Sequence, residues 1–191
     1  MPKPWVELVG EHRRETHEAI LDATAALVHE RGLDTVTMAA IAEQAGIPEA
    51  RLARHFPDVD AVLQAWHQRQ IGQHLAYLGE TGDQPGTPIE RLAAVLRSYA
   101  VLAHQAHRQH SAKSAAVLHR GEHMAEAQDH LHGMIRDLLA ECARNGDIRD
   151  DVTPDELASY CTHALTAASG HTSTEAIRRL VTVTLDGLRK P

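Results

Sequence analysis

The chain has 191 residues, enough for one large domain or two small ones around a substantial core, and its 43% apolar content is that of an ordinary folded protein. No run approaches the roughly 20 apolar residues that cross a bilayer, and the start Met1-Pro2-Lys3-Pro4-Trp5-Val6-Glu7 lacks an apolar signal region, so a cytoplasmic protein with no membrane partner is expected. A formal charge of −7 excludes a general polyanion binder while leaving room for a local DNA-reading element, and two cysteines, Cys142 and Cys161, cannot build a disulfide framework.

In chain order, periodicity and punctuation predict helices over 13–31, 37–45, 48–55, 59–78, 88–109, 111–119, 123–144, 154–168 and 173–188. Gly32 stops the first. Gly46 allows the left-handed backbone of a short turn between the second and third, and Pro48 opens the third. The stretch from Gly79 to Thr87 holds Gly79, Gly82, Pro85 and Gly86 and reads as a loop. Three later starts carry a Thr followed three residues on by Glu, the reciprocal capping box: Thr87–Glu90, Thr153–Glu156 and Thr172–Glu175. Asn145-Gly146 and Ser169-Gly170 supply stops. No alternating run of β-branched residues competes. The expected fold is all-α with about nine helices: a three-helix head over residues 1–58 and a helical body over 59–191.

Residues Thr37 to Phe56 read as a helix-turn-helix. Thr37 suits an N-cap, Met38, Ile41, Ala42 and Ala45 face inward, Ile47 plugs the turn, and Leu52 and Phe56 close the core. Ile20, Thr24, Leu27 and Val28 form its third wall. Glu49, Ala50, Arg51, Ala53, Arg54 and His55 project outward.

At Ile20-Leu21-Asp22-Ala23, Glu30-Arg31-Gly32, Thr35-Val36-Thr37, Ile41-Ala42-Glu43-Gln44-Ala45-Gly46-Ile47 and His55-Phe56-Pro57 the chain resembles the N-terminal domain of tetracycline-repressor-type (TetR) regulators. The resemblance covers about residues 14 to 65. It implies a homodimeric transcriptional regulator, usually a repressor, released from a palindromic operator by a small ligand. Such a head would lay the third helix in the major groove. There Arg51 and Arg54 would read guanine edges or neutralise phosphates, with His55 near the backbone and Pro48 and Ala50 on the same surface. Thr37 would bond a phosphate through its hydroxyl or backbone N–H. Lys3, Arg13 and Arg14 form a sparse basic arm. The chain departs from the family where Glu49 replaces a frequent Lys, Ala53 a usual Tyr and Val59 a common Lys. Residues 1–56 carry 6 Lys and Arg against 9 Asp and Glu, a net of −3, so phosphate contacts are few.

In the body, Ile89, Leu92, Leu96, Tyr99, Ala103 and Ala106 share a stripe, as do Met124, Leu131, Met134, Ile135, Leu138 and Leu139; Val62, Leu63, Trp66, Ile71 and Leu75 line helix 59–78. The resemblance implies that these helices surround a ligand pocket, with Trp66, Tyr99, Met134, Leu138 and His163 as candidate lining; packing into a plain core is the competing reading. A largely apolar effector would suit such lining. The 15 histidines include His104, His107 and His110 at spacing three, and His119 and His123 at spacing four. No carboxylate or cysteine accompanies them in a ligand pattern, so no metal and no cofactor is expected. No nucleophile elbow, phosphate loop or zinc-protease motif is present, so no catalytic residue is assigned.

The last two helices carry apolar stripes, Leu157, Cys161, Ala164 and Leu165 with Ala168, and Ile177, Leu180, Val181, Thr184 and Leu188. Two such helices from each subunit would make a four-helix interface; the alternative is that both stripes pack inside one chain. The expected function is a ligand-responsive regulator. The rival is a ligand- or metal-binding helical dimer whose head has weakened or lost DNA binding.

Overall fold

The computed structural model describes residues 5–109, 122–170 and 173–190. Eight α-helices and no strands occur among these residues: α1 (Trp5–Arg31), α2 (Met38–Gln44), α3 (Glu49–Leu52), α4 (Val59–Gly82), α5 (Pro88–Gln109), α6 (Glu122–Asn145), α7 (Pro154–Thr166) and α8 (Thr174–Asp186). The expected helix at 111–119 lies outside the described residues, as do Lys3, His110, His119 and Thr172, and the side chains of His107 and His123 are also outside the description.

Several boundaries differ from the sequence reading. Helix α1 starts at Trp5, so Arg13 and Arg14 stand on a helix and are not part of an arm. Helix α3 is one turn, and beyond it Arg54 and His55 bond back three residues, to the Arg51 and Leu52 carbonyls (3.2 and 2.9 Å). Pro57 disfavours helical backbone at Phe56 and ends the turn there. Helix α4 runs through Gly79 to Gly82, past the point where its glycines predict a loop. Its last carbonyl is not left orphaned: Arg91 Nε donates to Gly82 O at 2.6 Å, while its Nη1 meets Glu141 at 2.9 Å. The capping boxes form at Thr87–Glu90 and Thr153–Glu156, with Thr87 N and Thr153 N donating to the two carboxylates at 2.9 and 3.0 Å. At α8 the cap is Ser173, whose hydroxyl accepts from Ala176 N at 3.2 Å, one residue beyond the expected Thr172.

The chain divides into two compact units, and α4 contributes its residues up to Gln70 to the first and those from Ile71 to the second. The first unit closes on Ile20, Leu27, Ile41, Leu52, Phe56 and Val62, with Trp66 among them. Arg69 ties α4 to α1 through Glu18 and Asp22 (3.0 and 2.9 Å). In the second, α5 packs on α6, α7 and α8 around Leu92, Leu96, Ile135, Leu139 and Leu165. That core also takes the stripes of the last two helices. Leu157, Cys161, Leu165, Ala168, Ile177, Val181, Thr184 and Leu188 are all buried within the chain itself, so these side chains are not available to a partner. Of the expected interface only Ala164 and Leu180 remain half-buried, beside the exposed Tyr160 and Val183.

Candidate nucleic-acid interface

The head builds its reading surface from backbone geometry first. Thr37 caps α2, its hydroxyl accepting from Ala40 N at 3.2 Å. At the other end Gly46, with φ +66°, donates to Glu43 O (3.1 Å) and Ile47 N to Ala42 O (3.0 Å), the paired bonds of a Schellman turn. Only glycine adopts this left-handed backbone without a Cβ penalty. Pro48 then caps α3 and accepts from Arg51 and Leu52 N–H at 2.8 and 3.2 Å. Leu52 and Phe56 turn inward, fully and nearly fully buried, which leaves Pro48, Glu49, Ala50, Ala53 and Arg54 exposed, together with Thr37.

Arg51 is different. Its guanidinium reaches back to α1, meeting His12 Nε2 and donating to Thr16 Oγ1 at 3.1 Å. Thr16 is itself buried and fixed by donating to His12 O at 2.8 Å. Arg51 is therefore a half-buried strut with a preset direction rather than a free reader. No spacing in the sequence points to this contact, because 39 and 35 residues separate the partners. His55 is half-buried beside His17, whose ring stacks on Phe56 at 5.0 Å. Burial first, then the neighbouring Arg13, His17 and Arg51, push the His55 pKa below its usual 6.5. The shift favours the uncharged form of the imidazole.

The candidate ligand residues fall in different places. Tyr99 and Met134 pack half-buried against the second core and Leu138 is buried in it. Trp66 belongs instead to the first core, where its indole N–H is buried without a partner among the described residues. His163 is exposed, with Nδ1 on Ser159 O of its own helix at 2.7 Å. His104, set well round the helix from the Tyr99 stripe by its spacing, is half-buried and meets Ala168 O at 3.3 Å. Among the described residues no three His, Cys, Asp or Glu side chains are grouped to hold a metal ion, and no helix is long and apolar enough to cross a membrane.

Two family models match the chain: "Bacterial regulatory proteins, tetR family" over residues 20–66, and "Transcriptional regulator SbtR-like, C-terminal domain" over residues 87–190. The chain is 35% identical over 86 residues to the HTH-type transcriptional repressor KstR of Mycolicibacterium smegmatis, covering 45% of this chain and 42% of that protein. It is 26% identical over 145 residues to the KstR repressor of Mycobacterium tuberculosis, covering 76% and 66%. The chain thus spans less than two thirds of either relative. Its fold is similar to that of a TetR/AcrR-family regulator from Thermobifida fusca (TM-score 0.72, 19% identity, 92% and 100% of the two chains). It is also similar to FadR of Bacillus subtilis in complex with stearoyl-CoA (0.64, 16%, 91% and 100%) and to the ketosteroid regulator KstR2 of M. tuberculosis (0.61, 20%, 92% and 95%). With over half of its length matched by one regulator model and the helix-turn-helix head by the other, the chain belongs to the TetR family of bacterial regulatory proteins, which are transcriptional regulators rather than enzymes.

Proposed function

We propose that the protein is a repressor that binds a palindromic operator as a homodimer through α2 and α3 and is released by a small, largely apolar effector held in the body. The observation that carries this reading is the exposed face of α3, set by the Gly46 turn on a fully buried head core. Two matched relatives are named as repressors. Support for an apolar effector comes from fold neighbours whose names carry a ketosteroid and a stearoyl-CoA, and from the half-buried Tyr99 and Met134 beside Leu138. The dimer would use the outward sides of α7 and α8, where Tyr160, Ala164, Leu180 and Val183 leave apolar surface uncovered. Ala164 there permits close helix approach, and a twofold interface suits a twofold operator.

A second reading, a ligand-binding dimer with weakened DNA affinity, draws on two observations: Arg51 is engaged by α1, and Glu49 stands on the reading face. Fluorescence anisotropy with DNA from upstream of the gene, over a salt series and against scrambled DNA, tests the first reading. Tight, sequence-selective binding is expected. Weak binding, equal on both DNAs and lost by physiological salt, would overturn it. In that case Glu49→Lys with Ala53→Tyr should produce a large gain in affinity.

A further inference from the structure

The acidic side chain on the reading face, in the first turn of α3, has no side-chain partner in the fold. Glu49 is exposed, and its carboxylate makes no hydrogen bond or ion pair among the described residues. Ala50 and Ala53 beside it carry no polar group to offer, and Arg51 is held by His12 and Thr16. Arg54 is the other free charge on that face.

A role for Glu49 in recognition rests on the proposed function, which puts this face in the major groove. A carboxylate only accepts hydrogen bonds, and flanking phosphates make its approach costly unless a donor meets it. Two bases offer an amino donor there. The adenine amino group sits beside the N7 acceptor, which repels a carboxylate; guanine presents O6 and N7, and thymine O4 and a methyl group. Cytosine alone presents an amino donor with no acceptor on its own major-groove edge, the nearest being O6 of the paired guanine. We infer that Glu49 is a specificity-determining residue that accepts from the N4 amino group of a cytosine in each operator half-site. It selects as much by rejecting the other three bases as by binding the fourth.

The test is enrichment of binding sites from a random duplex pool by the full-length protein, by Glu49→Gln and by Glu49→Ala. The wild type should fix one C·G pair in each half of a palindrome, preferred about 5- to 140-fold over the alternatives. Glu49→Gln should move the preference at that pair to adenine, because an amide matches its N6 donor and N7 acceptor. Glu49→Ala should level the four bases there and leave the remaining motif unchanged. Because Glu49 is exposed, urea unfolding midpoints of all three proteins should lie close together. Variants that enrich the wild-type motif unaltered overturn the inference and leave the proposed function standing. A wild-type protein that enriches no motif sinks both.

Discussion

Two glycines, one within α6 and one just past its end, separate the effect of helix propensity from that of backbone handedness. Gly133 lies eleven residues into α6, and a Cβ there would meet only Arg136 Nη2, at 3.9 Å, an ordinary contact. Alanine at this site therefore gains helix propensity at no steric cost, about 0.5–1 kcal/mol. Gly146 follows the last residue of α6 with φ +80°, donating to Ala143 O (3.1 Å) while Asp147 N reaches Cys142 O (2.9 Å). A Cβ there meets nothing within 4 Å, so any loss arises from the left-handed backbone alone, about 1–2 kcal/mol. The reduced freedom of alanine in the unfolded chain offsets part of this, leaving a net loss of about 1 kcal/mol. For a chain of this length the two variants should shift Tm by about 2–4 °C in opposite directions. Thermal melts of full-length protein followed by circular dichroism read the Tm shifts, and urea unfolding reads the free-energy differences, with unchanged slopes showing that the denatured state is the same. Two shifts of the same sign, or a neutral Gly146→Ala, would refute the reasoning.

The two capping boxes make acid sensitivity predictable. Hydrogen bonds from the Thr87 and Thr153 backbone and hydroxyl groups hold Glu90 and Glu156 below their ordinary pKa of 4.5. A depressed folded pKa gives stability that is present above about pH 4.5 and is lost as pH falls through the folded value, so Glu90→Gln with Glu156→Gln should flatten the acid limb of a stability-versus-pH curve while differing little from wild type below it. Burial pushes both Cys142 and Cys161 up to about 12, with Asp147 and Glu141 adding to the effect at Cys142. Iodoacetamide at mildly alkaline pH should leave both thiols unmodified in the native protein and alkylate both in denaturing urea, as read by intact mass. Ala164→Glu with Leu180→Glu should give folded monomers by sedimentation, and an unchanged mass would rule out the α7–α8 surface as the interface.

What the sequence made legible was whatever is encoded locally. The Gly46 turn, the Thr37 cap and two capping boxes each rest on residues within five positions of one another, so their chemistry can be read in order along the chain. Apolar stripes are equally visible but carry no partner label. Leu157, Cys161 and Leu165 have the same spacing whether they meet a second subunit or α5 and α6, and here they are buried in their own chain. Trp66 shows the same ambiguity within a single helix, because α4 serves one core before Gln70 and another after it. Gly79 looks like a break in the sequence because the bond that secures the end of α4 comes from Arg91, in the next helix. The strut from Arg51 to His12 and Thr16 leaves no trace in spacing at all.

The head keeps the residues that make it fold apart from those that face outward. Ile41, Ala42, Leu52 and Phe56 are sequestered, whereas Glu49, Ala50, Ala53 and Arg54 are exposed. Surface substitutions of this kind usually change stability by no more than about 0.5 kcal/mol. Duplicated copies of this gene could therefore drift at those four positions, and acquire new targets, without passing through an unfolded intermediate sequence. The scaffold supplies evolutionary slack where novelty is needed and withholds it at Gly46, where almost any replacement would distort the turn.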